Sequence, residues 1–268
     1  MVSPRLVAKI ESEEPTLRLA VLIDADNAQA AVIAGLLAEI ARFGEATVKR
    51  IYGDFTATTS SSWKKVLQRY AIKPVQQFAY TTGKNATDST LIIDAMDLLY
   101  TRKFDGFCLI TSDSDFTGLA MRLREEGLTV LGFGEKKTPE AFRNACHKFV
   151  FTEVLRPSTA TESNVSAQKA DIEPKAVPAQ AAVDATDQKL EFPKQFVLTA
   201  LEQSIDDAGW AHLGTFGSYL TKLQPDFDSR LYGYKKLSDL VKAKTELFVT
   251  EERQALGSAQ KVVYLRAK

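Results

Sequence analysis

Between Leu17 and Leu155, short runs of uniformly apolar residues alternate with longer amphipathic segments, and this alternation constrains the fold more than any other feature of the sequence. A strand with one solvent-facing side carries polar residues at every second position. Leu19–Ile23 (LAVLI) and Phe107–Ile110 (FCLI) carry none, so both faces of these strands must be covered. Strands are predicted near Leu19–Ile23, Thr47–Tyr52, Pro74–Phe78, Phe107–Ile110, Leu128–Phe133 and Lys148–Phe151. Helices are predicted over roughly Ala28–Arg42, Ser60–Tyr70, Ser89–Thr101, Phe116–Glu126 and Pro139–Cys146. Repeated strand, helix, strand units imply an α/β three-layer sandwich built on a parallel sheet, with right-handed crossovers.

The pattern stops at Arg156. From there to Lys189 the chain has no aromatic residue and no leucine and is rich in Ala, Pro, Ser and Thr, so it cannot bury enough apolar surface to offset chain entropy. A flexible tether is expected, spanning about 30–35 Å root mean square. Periodicity returns after Leu190, with helical patterns at Phe196–Ser204, Gly214–Leu223 and Tyr234–Lys244 and strand-like runs at Leu247–Thr250 and Lys261–Leu265. Three helices and a hairpin describe a small winged-helix domain. The expected division is therefore a tail over 1–16, an α/β domain over 17–155, a linker over 156–190 and a winged helix over 191–268.

Composition narrows the function classes. Lys plus Arg and Asp plus Glu both number 34, so a globally basic polyanion binder is excluded and any such site must be a local patch. No apolar run approaches the roughly 18–20 residues of a membrane span, and the N-terminal segment turns acidic where a secretory signal should turn apolar. Only Cys108 and Cys146 are present, which disfavours a disulfide framework or a thiolate zinc site. A cytoplasmic setting is expected, with no membrane partner. His147 and His212 are solitary and read as structural.

Open parallel sheets bind ligands beyond the carboxyl ends of their strands, at the point where strand order reverses. The first run ends in Asp24-Ala25-Asp26-Asn27, and the fourth ends in Thr111-Ser112-Asp113-Ser114-Asp115-Phe116. If these strands are neighbours, Asp24 and Asp113 face one crevice, and Asp88 leans over it from the start of the helix STLIIDAMDLL. Each acid or Asn taken singly is explained as a helix N-cap. Capping does not explain several acids gathered at one sheet end, where a pair at ~4 Å repels by about 4 kcal/mol at an effective dielectric near 20. A compensating cation is implied, and oxygen-only ligands favour Mg²⁺ or Mn²⁺ over zinc. Such an ion supports phosphodiester hydrolysis. No glycine-rich phosphate loop follows the first strand, which disfavours a nucleotide-cofactor enzyme.

VLIDADN, KNATDSTLIIDAMDL and LITSDSDFTGLAMRLREEGLTVLGFG, in that order, resemble the NYN domain family, the LabA-like branch of the PIN-like nuclease superfamily. The resemblance covers about Leu17 to Leu155 and implies a metal-dependent ribonuclease with a PIN-like fold. It places the first-strand acid at Asp24, its Asn partner at Asn27, the middle-helix acid at Asp88, and the S-[GD]-D-x-D-F signature on Ser112, Asp113, Asp115 and Phe116. Thr111-Ser112 stands where many members carry Ser-Gly. The segments QFVLTALEQSI, GWAHLGTFGSYLTKLQPDFD and RLYGYKKLSDLVKA, within about Phe192 to Leu265, resemble the OST-HTH or LOTUS winged-helix module, which implies RNA binding.

The expected catalytic set is Asp24, Asp88, Asp113 and Asp115 as ligands of Mg²⁺ or Mn²⁺, with Asn27 orienting Asp24 or contacting substrate. Ser112, Lys84, Lys136, Lys137, Tyr232, Lys235 and Lys236 are the expected substrate contacts, with Lys64 and Arg143 also placed near the acidic end. Tyr232 and Tyr234 read equally well as part of the core. The expected partner is single-stranded RNA, and a homodimer is left open. Two alternatives stand beside the ribonuclease: a non-catalytic RNA-binding adaptor, and a phosphatase of the haloacid dehalogenase type, suggested by Asp24-x-Asp26. Against the phosphatase, Ala28 replaces the usual Thr or Val and no cap insertion follows.

Overall fold

The computed structural model describes residues 16–56, 61–78, 86–156, 191–254 and 261–268. The tail over 1–15, most of the proposed linker (157–190) and Lys84 lie outside the described residues. The first module is a six-stranded sheet of β1 (Leu17–Asp24), β2 (Gly44–Gly53), β3 (Lys73–Gln76), β4 (Gly106–Ile110), β5 (Thr129–Gly134) and β6 (Lys148–Phe151), in the order β3-β2-β1-β4-β5-β6. All five pairings are parallel. The chain moves outward from β1 through β2 to β3 and then returns to β4 on the other side of β1. That reversal leaves a crevice beyond the carboxyl ends of β1 and β4.

The absence of a polar face on β1 has its counterpart in the packing: residues 19 to 23 are fully buried. Ala20 and Leu22 point into one core with α3 (Ala86–Tyr100), α4 (Thr117–Glu125) and α5 (Glu140–Ala145). Leu19, Val21 and Ile23 point into the other with α1 (Ile33–Ile40) and α2 (Ser61–Tyr70). Gly132 in β5 is required by this packing, since a Cβ there would stand 2.6 Å from Cys146 Sγ and from the Phe149 ring. Cys108 and Cys146 are buried free thiols in opposite cores, each held protonated by burial.

The helix predicted over Ala28–Arg42 is shorter than expected. A 3-10 turn at Ala30–Val32 precedes α1, because Asp24 ties the preceding segment into a turn by accepting from the Asp26 amide. His147 and His212 accept backbone amides from Val130 and Thr215 through Nδ1. Among the described residues, no helix is long and apolar enough to cross a membrane.

The second module contains α6 (Lys194–Glu202), α7 (Leu213–Leu223), α8 (Leu237–Ala243) and an antiparallel sheet β7-β9-β8 of Ala211–His212, Lys261–Ala267 and Phe248–Gln254. β7 was not expected, and the third helix starts at Leu237 rather than Tyr234. The delay follows from a 3-10 turn at Ser229–Tyr232 that Gly233 closes at φ 87°, a backbone region open to glycine at little cost. A single core holds the module, with Phe216, Leu240 and Leu265 fully buried.

The second module is docked on the first. β6 is an edge strand, and its Phe149 amide donates to the Pro225 carbonyl at 2.9 Å, covering part of that edge. Arg143 at the end of α5 pairs with Asp226, which corrects its expected place beside the acidic crevice. Arg230 lays its guanidinium on Glu39 of α1, with Nη1 donating to Oε2 at 2.9 Å and Nη2 to Oε1 at 3.0 Å. Leu231 packs against the first module's core.

Candidate metal centre

Three elements deliver the acids. Asp24 is the last residue of β1, Asp88 stands in the first turn of α3, and Asp113 caps the 3-10 turn Ser114–Phe116 that follows β4. Asp113 holds this turn by accepting from the Asp115 amide at 3.0 Å, which brings the Asp115 carboxylate alongside. One oxygen each from Asp88, Asp113 and Asp115 lies within 4.8 Å of the others. Oxygens on opposite sides of a magnesium ion stand about 4.2 Å apart, so small side-chain rotations let these three share one hard cation.

Asp24 is not part of that trio. It is fully buried behind it, and its oxygens are taken by protein donors: Oδ2 accepts from Asn27 Nδ2 at 2.7 Å and from Thr111 Oγ1 at 2.9 Å, and Oδ1 from the Asp26 amide at 3.0 Å. Burial nevertheless raises its carboxyl above the ordinary value, with those hydrogen bonds working in the opposite direction. Asp88 is pushed up to about 6, first by burial and then by the charges of Asp24, Asp113, Asp115 and Asp26. The neighbouring carboxylates therefore bear on Asp88 together.

Thr111 is the contact that sequence reasoning missed, having been noted only as a departure at the signature loop. Its hydroxyl donates to Asp24 while its Oγ1 accepts from the Asp113 amide at 3.1 Å, so one side chain joins β1 to the signature loop. Replacing it by valine keeps the shape, removes both bonds and should weaken Mn²⁺ binding by about 10-fold or more. A calorimetric Mn²⁺ titration of Thr111→Val checks this. Asp94 was also unforeseen. It accepts from both Arg50 and Tyr52 on β2 and thereby pins α3, and with it Asp88, to the sheet. No spacing signals it, since six residues after Asp88 it stands about 240° around the helix, and its partners lie on a strand more than 40 residues earlier.

The other expected contacts are spread more widely. Ser112 is buried, and its Oγ accepts from the Glu135 amide at 2.9 Å, bracing the β4 loop against the end of β5. Lys136 and Lys137 are exposed just beyond β5 at the same sheet end, and Lys137 is paired with Glu135 at 3.0 Å. Lys64 is exposed on α2. Tyr232 is not an open stacking platform: its ring packs edge-on against Phe192, with centroids 5.3 Å apart, and against Phe227. Burial lifts its hydroxyl to about 12. Lys235 and Lys236 are exposed, but on the module-facing side described below.

The raised Asp88 has a measurable consequence. Its carboxyl holds a proton in the folded chain between its ordinary value of 3.8 and about 6, where the unfolded chain holds none. In metal-free protein stability therefore falls as pH rises through that window. A cation at the trio favours the ionised form, so its binding should tighten as pH rises through about 6 and release protons below that. Mn²⁺ titrations in two buffers of different ionisation enthalpy, at about pH 5.5 and 7.5, check the sign.

Comparison with known proteins follows the same division. The sequence model of the NYN domain matches residues 18–155, and that of the OST-HTH/LOTUS domain matches residues 188–255. Among solved structures, the chain is similar to an uncharacterized protein of Nitrosomonas europaea at 69% identity over 36% of this chain and 92% of that one, with a TM-score of 0.29. It is also similar to a protein of unknown function from Vibrio parahaemolyticus at 15% identity, over 52% and 95% of the two chains, with a TM-score of 0.44. A protein of Chromobacterium violaceum shows 30% identity over 30% and 84%, with a TM-score of 0.24. No curated protein matches. The family match spans just over half of the sequence and contains the sheet, its reversal between β1 and β4, and all four acids of the site, and the chain accordingly belongs to the NYN domain family.

Proposed function

We propose that the chain is a metal-dependent ribonuclease that hydrolyses phosphodiester bonds of single-stranded RNA. The observation that carries this reading is the Asp88, Asp113 and Asp115 trio at the topological switch of an NYN domain. These residues would hold Mg²⁺ or Mn²⁺, and a bound ion supplies Lewis acidity, polarising a phosphoryl oxygen and making water a stronger acid. Asp24 acts from behind as a positioning residue: fixed by Asn27, it holds Thr111, and Thr111 holds the Asp113 backbone. With both oxygens occupied and no exposure, Asp24 is poorly placed as the nucleophile that a dehalogenase-type phosphatase requires.

RNA rather than DNA is favoured by the OST-HTH/LOTUS module. The proposed boundaries remain 17–155 and 191–268, joined by a linker at 156–190. The reading is tested by incubating a fluorescent single-stranded RNA with the full chain and Mn²⁺, then adding EDTA. Cleavage that EDTA stops is expected. Intact RNA under all divalent ions would leave the RNA-binding adaptor as the better reading.

A further inference from the structure

A cleft of about 610 Å³ lies where the two modules meet and is lined by residues of both. Its walls carry six basic side chains, Arg42 and Lys148 from the first module and Lys222, Arg230, Lys235 and Lys236 from the second, against only two carboxylates, Glu39 and Asp228. Both carboxylates are already occupied by Arg230, which is held firmly protonated between them. Among the described residues, Lys148, Lys222, Lys235 and Lys236 have no ion-pair partner. In a chain with zero formal charge, four unpaired lysines lining one cleft, three from the second module and one from the first, are a local concentration of positive charge. Lys148 stands out because burial and the neighbouring Arg230 and Arg42 oppose its charge, while Asp228 and Glu39 support it without direct contact.

We propose that this cleft binds the phosphodiester backbone of an RNA strand and so forms a second contact for the substrate, remote from the acids. Phosphate is the chemistry that unpaired lysines with neighbouring Ser218 and Ser229 hydroxyls recognise without reading sequence. Arg42 and Phe43 precede β2, and Lys148 begins β6, so the cleft lies at the amino ends of the parallel strands. The acids lie at the carboxyl ends, a strand length of about 25 Å away for the eight residues of β1. A stacked single strand covers that distance in about 7 nucleotides. The docked module thus gives the enzyme a grip on RNA several nucleotides from the bond to be cut. This inference rests on RNA being the ligand but not on cleavage.

The test uses full-length Asp113→Asn protein in EDTA, so that hydrolysis cannot interfere, with fluorescence anisotropy of a single-stranded 20-nucleotide RNA. Adding Lys235→Gln and Lys236→Gln, both at exposed positions, should weaken binding about 10-fold and make the salt dependence shallower by about two ion equivalents. Lys148→Gln should add to the loss. Unchanged affinity and salt slope in the double variant would overturn the proposal. So would calorimetric binding of a free nucleoside monophosphate or triphosphate that the lysine changes abolish while RNA affinity stays intact, since the cleft would then be a small-ligand site. Weakened RNA binding by these variants, in a chain whose wild type never cleaves RNA, would sink the nuclease reading and keep this one.

Discussion

Asp113→Asn should abolish metal-stimulated RNA cleavage, lowering it by at least about 10³-fold, while leaving the chain folded and slightly more stable in EDTA. The two effects have one cause. Asp113 sits within ligand distance of Asp88 and Asp115, so removing its charge takes away a third of the trio and also relieves the repulsion inside it. An asparagine oxygen still accepts from the Asp115 amide, so the turn after β4 keeps its cap. Asp24 offers no such clean test, because its oxygens serve three donors and an amide there leaves at least one of them without an acceptor. The variant should also bring the Asp88 carboxyl down towards its ordinary range, since Asp113 is one of the charges that raise it. Single-turnover cleavage in Mn²⁺, thermal unfolding in EDTA and titration of Asp88 by NMR check the three signs. Full activity in the variant would remove the trio from the mechanism. A clearly lowered midpoint would show that Asp113 is structural.

How much of this was legible in the sequence depended on whether the determining interaction was local. The apolar runs Leu19–Ile23 of β1 and Phe107–Ile110 of β4 pointed to central strands of a parallel sheet, and the acids that follow them then had to meet at its carboxyl end. Asp88 was readable for the same reason, as an acid opening an amphipathic helix. Thr111 was not, because its importance lies in a bond to Asp24, 87 residues earlier, which no spacing encodes. The donors that surround Asp24, on which its proposed role as a buried support rests, likewise depend on which rotamer the neighbouring residues select. Tyr232 and Lys235 are close in sequence, and from spacing alone the tyrosine reads equally well as an RNA-stacking ring or as part of the core. In the fold, a 3-10 turn closed by Gly233 sends the tyrosine inward and leaves the lysine at the cleft. Docking was illegible altogether, since Glu39, Asp226 and Arg230 look like ordinary surface charges until two modules bury them.

Half-buried between the buried carboxylates of Glu39 and Asp228, Arg230 is a consequential residue outside the acidic site. Arg230→Ala should detach the second module at a cost of about 3 kcal/mol, a magnitude that follows from what is left behind. Glu39 and Asp228 are 6% and 9% exposed, and each would face a protein interior without its main counter-charge. Among the described residues Glu39 would keep Arg42 as its ion-pair partner, at 3.2 Å and mostly in solvent, with Lys148 acting on it without direct contact. Asp228 pays for its ionisation in desolvation, which Arg230 outweighs through side-chain and backbone hydrogen bonds and charge, holding the carboxyl below its ordinary value. With the guanidinium removed, the carboxyl of Asp228 should rise and Lys148 should lose a repelling neighbour. Among the described residues, Arg143 with Asp226, the Phe149 to Pro225 hydrogen bond and the Leu231 contact would still join the modules. Small-angle scattering should show a larger radius of gyration, and calorimetry should resolve two unfolding transitions in place of one. A cycle with Glu39→Gln should return a coupling of about 1–3 kcal/mol, because the two side chains meet in a two-pronged bond that neither single variant can preserve. An unaltered radius with a single unshifted transition would mean that the apolar contact and the β6 edge suffice to hold the modules together. If the module is released, RNA affinity should fall as well, because Arg42 and Lys148 of the first module would no longer line the same cleft as Lys222, Lys235 and Lys236 of the second.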